Sequence, residues 1–144
     1  NVVYFKSWAH ILALDEGNNL FLNKEYRLAM DEYSIECPWW AIEEGEEPLD
    51  GAKRELKEEL WIVAKNRKYL GVMHPVKGFI VVNAHIFMAD VENILEKKLD
   101  DVEHIERIKV PLKTAYEWVE SQKINDPISC YLIQKAYIQR LLQH

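Results

Sequence analysis

The segment from Glu46 to Ile62 constrains the fold of this chain more than any other. Its acidic residues recur at helical spacing, so that Glu55 and Glu59 lie at positions i and i+4 on one flank of a helix. A second flank is apolar and consists of Leu49, Ala52, Leu56 and Leu60. A helix of this kind packs its apolar flank on a core and turns the other flank toward solvent or a cleft. The segment therefore predicts an amphipathic helix, opened by Pro48.

The acidic flank of this helix carries three carboxylates, because Glu58 lies at i+3 from Glu55. Like charges at such spacing repel one another and weaken an isolated helix. A hard divalent cation such as Mg²⁺, which prefers oxygen ligands, would relieve that repulsion. Charge runs also occur on plain solvated helices. Two interpretations therefore stay open, a metal-binding helix and a solvated acidic helix.

Length and composition indicate one compact domain. The chain has 144 residues, of which 49% are hydrophobic and 29% charged, and this is enough for one sizeable core. A net charge of −6 argues against a protein that coats nucleic acid, which needs a basic surface. The isolated cysteines Cys37 and Cys130 suit a reducing compartment such as the cytoplasm. No apolar run approaches the ~20 residues of a membrane span. The first residue is Asn1 rather than methionine, which leaves open whether residues precede it.

Alternating apolar and polar residues predict strands on both sides of the acidic helix. The predicted strands are residues 2–5, 8–14, 20–26, 67–73, 79–89 and 107–110, with a short extended segment at 34–37. Pro38 predicts a loop that leads to the acidic helix. Pro111 opens a second helix, and Asp126 with Pro127 caps a third that runs to about Leu142. This order suits a mixed sheet between helices.

The acidic segment resembles the Nudix box, G-x5-E-x7-R-E-U-x-E-E-x-G-U, where U is a bulky aliphatic residue. The seven matching positions are Glu46, Arg54, Glu55, Leu56, Glu58, Glu59 and Ile62. The two glycines of the pattern are replaced by Trp40 and Trp61. On these residues the chain is identified as a member of the Nudix hydrolase superfamily. That implies one domain over residues 1–144 with an α/β (α+β) fold, a mixed β-sheet in an α/β/α sandwich.

Segments outside the box resemble the ADP-ribose pyrophosphatase branch of this superfamily, namely residues 24–27, 36–38, 74–78, 85–89 and 100–106. The resemblance implies a hydrolase of a nucleoside diphosphate linked to another moiety, dependent on Mg²⁺ with Mn²⁺ as an alternative. ADP-ribose is the leading substrate, cleaved to AMP and ribose 5-phosphate, and another nucleotide sugar is the alternative. The implied partner is a small nucleotide, without nucleic acid or membrane. The resemblance further implies a homodimer, and the expected location is the cytoplasm.

The resemblance also implies metal ligands and catalytic residues. Glu55 and Glu59 would be the main ligands, while Glu58 would complete the site or bridge a second ion and so take part in catalysis. The backbone carbonyl of Trp39 would supply a further ligand. Glu103 would be the general base or an extra ligand, with Asp101 as its rival. Both of these acids could instead be solvated loop residues.

The remaining assignments concern support and substrate. Arg54 would hold Glu46 and so orient the carboxylates of the helix. Arg27 and Glu36 would bind substrate, because a guanidinium can hold phosphate oxygens through two hydrogen bonds. Arg27 could instead pair with Glu25 or Glu36 at a strand edge. The aromatic residues Tyr26, Trp39, Trp40 and Phe79 could stack on an adenine or fill a core. His85, inside an apolar strand, is interpreted as a hydrogen-bonded structural residue.

The two tryptophans in glycine positions keep a second functional class open, a Nudix-fold module that binds a nucleotide with weak or no turnover. A glycine at position 61 ordinarily adopts a positive φ that ends the helix. Trp61 must therefore either be strained there or end the helix differently. The ring of Trp40 must either point away from the site or fill it. The intact carboxylates favour an enzyme, whereas the tryptophans favour the module.

Overall fold

The computed structural model describes residues 1–96 and 105–143. The strands are β1 (Val3–Tyr4), β2 (Trp8–Leu14), β3 (Asn19–Arg27), β4 (Glu32–Glu36), β5 (Trp39–Ala41), β6 (Ile62–Met73), β7 (Ile80–Val81), β8 (Ala84–Ile94) and β9 (Ile105–Pro111). The helices are α1 (Pro48–Leu60), α2 (Leu112–Glu120) and α3 (Pro127–Leu142). Within this part of the chain, none of the helices is long and apolar enough to cross a bilayer.

The larger sheet is mixed, as the order of elements predicts. Its strands follow the order β4-β3-β2-β8-β6, while β5 pairs with β2 and β9 pairs with β3. Strands β2 and β8 are parallel, with Trp8 opposite Ala84 and Leu14 opposite Asp90. The other pairings in this sheet are antiparallel. A separate parallel pair joins β1 to β7.

The two faces of this sheet carry different helices, because side chains alternate along each strand. On one face, Ile11 and Phe21 belong to the same buried cluster as Leu56 and Leu60 of α1. On the other face, the strand residues pack in a second cluster with α2 and α3. Helix α1 therefore covers one face and α2 with α3 the other. The predicted mixed sheet between helices is confirmed.

Several predicted strand boundaries are wrong, and the largest error is in β6, which begins at Ile62 rather than at residue 67. Residues 39–41 form β5 although Pro38 predicts a loop, because the Pro38 carbonyl still accepts a hydrogen bond of 3.1 Å from the N–H of Ile11. Proline lacks only the donor, so it can precede an edge strand. The predicted strand over residues 79–89 is divided into β7 and β8 because its first part leaves the larger sheet and pairs with β1.

Candidate metal and substrate site

Helix α1 carries its carboxylates on a well-anchored scaffold. Pro48 is its first residue, and the apolar flank is buried in the core, with Leu56 and Leu60 fully inaccessible. In the turn before the helix, Gly45 has a φ of 80°, in the left-handed region that glycine tolerates best. The next residue, Glu46, is thereby brought alongside the helix.

Gly51 allows Glu46 to approach α1, and sequence reasoning missed it. A Cβ on Gly51 would lie 2.7 Å from Oε1 of Glu46, which is closer than such atoms can come. The signal in the sequence is a glycine inside a helix, where it is destabilising by roughly 1 kcal/mol relative to alanine. The close approach explains why a glycine occupies this position.

Arg54 joins the carboxylates of the box. Its Nε donates to Oε2 of Glu46 at 3.1 Å, and its Nη1 donates to Glu55 at 2.9 Å and to Glu58 at 3.0 Å. The hydrogen bond from Arg54 lowers the pKa of Glu46 below its ordinary value, and the same bond raises the pKa of Arg54. The carboxylate form of Glu46 and the charged guanidinium therefore stabilise each other, as the predicted orienting role of Arg54 requires.

The donor set on α1 suits a hard divalent cation. Glu55 and Glu58 both direct an oxygen at the same nitrogen of Arg54, so the two carboxylates can share one positive centre. Carboxylate oxygens are the ligands that Mg²⁺ and Mn²⁺ prefer. In residues 1–96 and 105–143, however, no three acidic, histidine or cysteine side chains form a group that could hold a metal ion. Arg54 bonds Oε1 of Glu55 and Oε2 of Glu58, and the second oxygen of each carboxylate lies outside this contact.

Strand β5 brings the carbonyl of Trp39 to the edge of its ladder with β2. The N–H of Ile11 donates to Pro38, and the N–H of Ile42 donates to Ser7 at 2.8 Å. In an antiparallel ladder only alternate residue pairs exchange backbone hydrogen bonds, and Trp39 lies in a pair that does not. The backbone carbonyl of Trp39 therefore points away from β2. Strand β5 also contacts α1, so this carbonyl lies near the helix and outside the β2–β5 hydrogen bonds.

Arg27 forms the contacts that the alternative interpretation expected. Its Nη2 pairs with Glu36 and lies 3.2 Å from Glu25. The guanidinium carbon also lies 5.3 Å from the ring centre of Trp39. Two carboxylates thus share the charge of Arg27, and its flat face is covered by an indole.

Glu36 is almost buried yet remains ionised. Burial raises its pKa, but hydrogen bonds from Arg27, Trp39 and Ser34 outweigh burial and hold the pKa below its ordinary value. Nε1 of Trp39 lies 3.0 Å from Oε1, and Oγ of Ser34 lies 2.8 Å from Oε2. Glu36 therefore fixes the indole of Trp39.

His10 is a buried residue that sequence reasoning also missed. It is 2% exposed, and its ring stacks on Trp39 with centres 5.7 Å apart. Neither ring nitrogen has a hydrogen-bond partner among the described residues. Burial lowers the pKa of His10 to about 4, against opposing effects of Asp126 and Glu36. The signal in the sequence is a polar residue within the apolar run of β2.

The four aromatic residues considered for stacking do not share one environment. Trp39 packs on Trp8 and His10, and the half-buried Trp40 packs against the α1-side core. Tyr26 and Phe79, by contrast, are exposed. The core therefore accounts for Trp40, and Trp39 belongs to a separate half-buried group of rings.

Trp61 ends α1 in a strained conformation. Its φ of 55° and ψ of 35° lie in the left-handed region, where its N–H donates to the carbonyl of Lys57 at 3.0 Å. Of the two expected outcomes, the structure has the strained one. The helix keeps the glycine-type ending although the residue is a tryptophan.

This strain predicts a difference between two variants of Trp61. Both Trp61→Gly and Trp61→Ala remove the indole, but only glycine adopts a positive φ freely. We expect the glycine variant to be more stable than the alanine variant by about 1 kcal/mol. Urea unfolding of both proteins measures the difference, and equal stability would show that the backbone at residue 61 is not strained.

Of the three remaining predicted positions, the structure describes one. His85 accepts or donates a hydrogen bond of 3.0 Å with the Tyr69 hydroxyl, consistent with a structural interpretation. Glu103 and Asp101, the competing candidates for general base, lie outside the described residues.

Comparison with known proteins adds independent findings. Residues 7–129 match the NUDIX domain. An ADP-ribose pyrophosphatase of Bacillus subtilis is 32% identical over 135 residues, covering 92% of this chain and 73% of that protein. A methanol dehydrogenase activator of Bacillus methanolicus is 25% identical, covering 93% and 74%. The crystal structure of an ADP compounds hydrolase superposes with a TM-score of 0.73 at 19% identity, covering 93% of this chain and 74% of that one, which supports the same fold.

Proposed function

Because this chain belongs to the NUDIX domain family and is a pyrophosphohydrolase of that family, we propose that it is a Mg²⁺-dependent hydrolase with ADP-ribose as its leading substrate. The products would be AMP and ribose 5-phosphate. The relative from Bacillus subtilis named for this activity supports the choice of substrate. One NUDIX domain over residues 1–144 would account for the chain.

The observation that carries the proposal is the convergence of three box carboxylates on Arg54. Glu46, Glu55 and Glu58 all accept hydrogen bonds from one guanidinium beside a buried helix flank. A solvated acidic helix has no need of such a network, since its charges are screened by water. The arrangement instead keeps several carboxylates close together against their mutual repulsion.

In the proposed site, Glu55, Glu58, Glu59 and the carbonyl of Trp39 would hold Mg²⁺, with Mn²⁺ as a substitute. Such a cation would supply charge neutralisation at the phosphoryl oxygens and a water of lowered pKa. Arg54, paired with Glu46, bonds only one oxygen of Glu55 and one of Glu58, so their other oxygens would serve the cation. Arg27 and Glu36 line the substrate side, where Glu36 holds the guanidinium and the indole of Trp39 in position.

Glu103 is the proposed general base. Glu103→Gln should lower kcat about 100-fold, a size typical of general-base catalysis, while the affinity for Mn²⁺ changes little. Steady-state kinetics on ADP-ribose measures the first effect and a Mn²⁺ titration the second. A large loss in Asp101→Asn together with full activity in Glu103→Gln would transfer the assignment to Asp101. Full activity in both variants would exclude Glu103 and Asp101 from proton transfer.

The second candidate is a nucleotide-binding module with weak catalysis. The pairing of two arginines with carboxylates in the site favours it. Arg54 bonds one oxygen of Glu55 and one of Glu58, and Arg27 shares its charge with two carboxylates. The first contact weakens the attraction of these carboxylates for a metal ion, and the second weakens the attraction of Arg27 for a diphosphate. A protein whose metal site is weakened more than its substrate site would bind nucleotides with little cleavage.

Release of a nucleoside monophosphate separates the two candidates. The protein is incubated with ADP-ribose and, separately, with other nucleotide sugars, in Mg²⁺ or in EDTA, and the products are resolved by chromatography. The proposal expects AMP from ADP-ribose in Mg²⁺ and none in EDTA. If only another nucleotide sugar is cleaved, that sugar replaces ADP-ribose as the proposed substrate. If nucleotides bind but no nucleoside monophosphate is released, the protein is a binding module.

We also propose a cytoplasmic homodimer. Cys37 and Cys130 are free thiols, which suits a reducing compartment. The β1–β7 pair and the residue before β7 expose large apolar side chains, with Tyr4 76% and Phe79 57% accessible, and such patches mark interaction surfaces. Light scattering should give twice the chain mass, reduced to one chain mass by Tyr4→Ser with Phe79→Ser. A monomeric parent protein would contradict the proposal.

A further inference from the structure

Asn23 has a buried polar side chain. Neither the fold nor the proposed metal site explains it. It lies in β3 and is 5% exposed, and its Oδ1 has no hydrogen-bond partner among the described residues. Burying an amide oxygen without a partner destabilises a fold, so such groups are rare and indicate a site of another kind. The position therefore calls for a functional explanation.

The neighbours of Asn23 on the sheet are charged. Glu36 of β4 and Arg107 of β9 are its direct cross-strand partners, and such pairs share one face of a sheet. Asn23 shares the face of Phe21, which packs in the α1-side cluster. Arg27, four residues farther along β3, lies on that face as well and pairs with Glu36. The four polar residues Asn23, Arg27, Glu36 and Arg107 form a niche, called here the β3 niche.

Arg107 connects the β3 niche to the box helix. Its Nη1 donates to the carbonyl of Leu60 at 2.8 Å, and its guanidinium carbon lies 5.9 Å from the ring centre of Phe21. Leu60 is the last residue of α1 and directly follows Glu59. The niche thus lies beside the end of the helix that carries the proposed metal ligands.

The chemistry of the β3 niche selects its ligand. The unpartnered amide oxygen of Asn23 needs a donor, whereas a phosphate oxygen is only an acceptor. A sugar hydroxyl donates to such an oxygen and also accepts from a guanidinium. Asn23 and Glu36 are only 5% and 8% exposed, so a group no larger than a hydroxyl would have to reach them, and a ring is excluded.

We infer that Asn23 binds a ribose hydroxyl of the substrate, with Glu36 and Arg107 beside it. This rests on the proposed function, since it takes the ligand to be a nucleoside diphosphate joined to a sugar. In this inference, Asn23 lowers the stability of the fold when no ligand is bound and contributes to substrate specificity. A site that hydrogen-bonds a substrate hydroxyl discriminates strongly against the analogue that lacks it, because its own polar group is left unpaired.

The test uses Asn23→Val, with Asn19→Val as a matched control in the same strand. Asn19 has partners, since its Nδ2 lies 3.3 Å from both carboxylate oxygens of Asp15. We expect the melting temperature to rise by several degrees in Asn23→Val and to fall in Asn19→Val, without ligand. A fall in Asn23→Val would show that Asn23 stabilises the fold through protein contacts, and it would overturn the inference.

The second arm measures ligand binding as the rise in melting temperature, with Ca²⁺ present in all samples. The ligands are ADP-ribose and analogues of it that each lack one ribose hydroxyl. We expect one analogue to bind the parent protein at least tenfold more weakly than ADP-ribose, and to bind Asn23→Val as well as ADP-ribose does. Equal discrimination in both proteins would overturn the inference. If neither ADP-ribose nor other nucleotide sugars stabilise the parent protein, the proposed function fails as well, a result distinct from loss of discrimination alone.

Discussion

Replacing Glu59 by glutamine should reduce turnover of ADP-ribose by roughly 100- to 1,000-fold, the size seen when an electrostatic stabiliser of a transition state is removed. Glutamine keeps the volume and reach of the side chain but removes the negative charge that a divalent cation requires. Glu59 lies on the half-buried part of α1, next to the fully buried Leu60. Because the apolar flank that anchors the helix is unchanged, the fold should remain intact.

Initial rates in saturating Mg²⁺ measure this effect, and thermal unfolding checks the fold. Glu44→Gln is a suitable control, because Glu44 is an exposed acid in the turn before α1 and lies outside the box pattern. The control should retain the activity of the parent protein. Unchanged Mg²⁺-dependent turnover in Glu59→Gln would exclude this flank of the helix from the mechanism.

The second large effect expected is a loss of stability in mild acid caused by His10. Burial lowers the pKa of His10 from 6.5 to about 4 in the folded chain. Between these values the unfolded chain binds a proton that the folded chain does not, so stability is complete above pH 6.5 and falls as the pH decreases toward 4. The shift corresponds to about 3 kcal/mol of unfolding free energy lost across that window.

His10→Leu should remove most of this acid sensitivity, since leucine fills a similar volume beneath Trp39 and does not titrate. Urea unfolding at pH 7 and pH 4.5 in both proteins gives the difference. His85, whose pKa burial also lowers, contributes equally to both proteins and cancels. Hydrogen bonds hold the pKa of Glu36 below its ordinary value, so the stability that Glu36 contributes is lost mainly in more acid solution. Equal acid sensitivity in the two proteins would show that His10 is not buried in its neutral form.

The box helix could be predicted because all of its determinants are local. The spacing of Leu56 and Leu60 sets the buried flank, Pro48 marks the start, and the pattern position of Trp61 marks the end, where α1 does stop. The pairing of Arg54 with Glu46 also follows from their places in the pattern. Such features depend on helical periodicity, which a single sequence displays.

The surroundings of the helix could not be predicted, because they depend on strand register. Which residues face α1 is decided by the pairing of β3 with β4 and β9, and a shift of one residue would exchange the two faces. The burial of Asn23 beside Arg107, and of His10 beneath Trp39, follows only from that register. The strained φ of Trp61 was one of two outcomes that the sequence left open.

Binding of Mn²⁺ to the box helix, followed by electron paramagnetic resonance, tests the central claim most directly. The signal of free Mn²⁺ reports binding without any need for turnover or for a chosen substrate. The account predicts binding to the parent protein, competition by Mg²⁺, and at least tenfold weaker binding in Glu55→Gln with Glu59→Gln. Glu44→Gln should bind as the parent protein does. Equal Mn²⁺ affinity in the double variant and the parent protein would contradict the assignment of the metal site to α1.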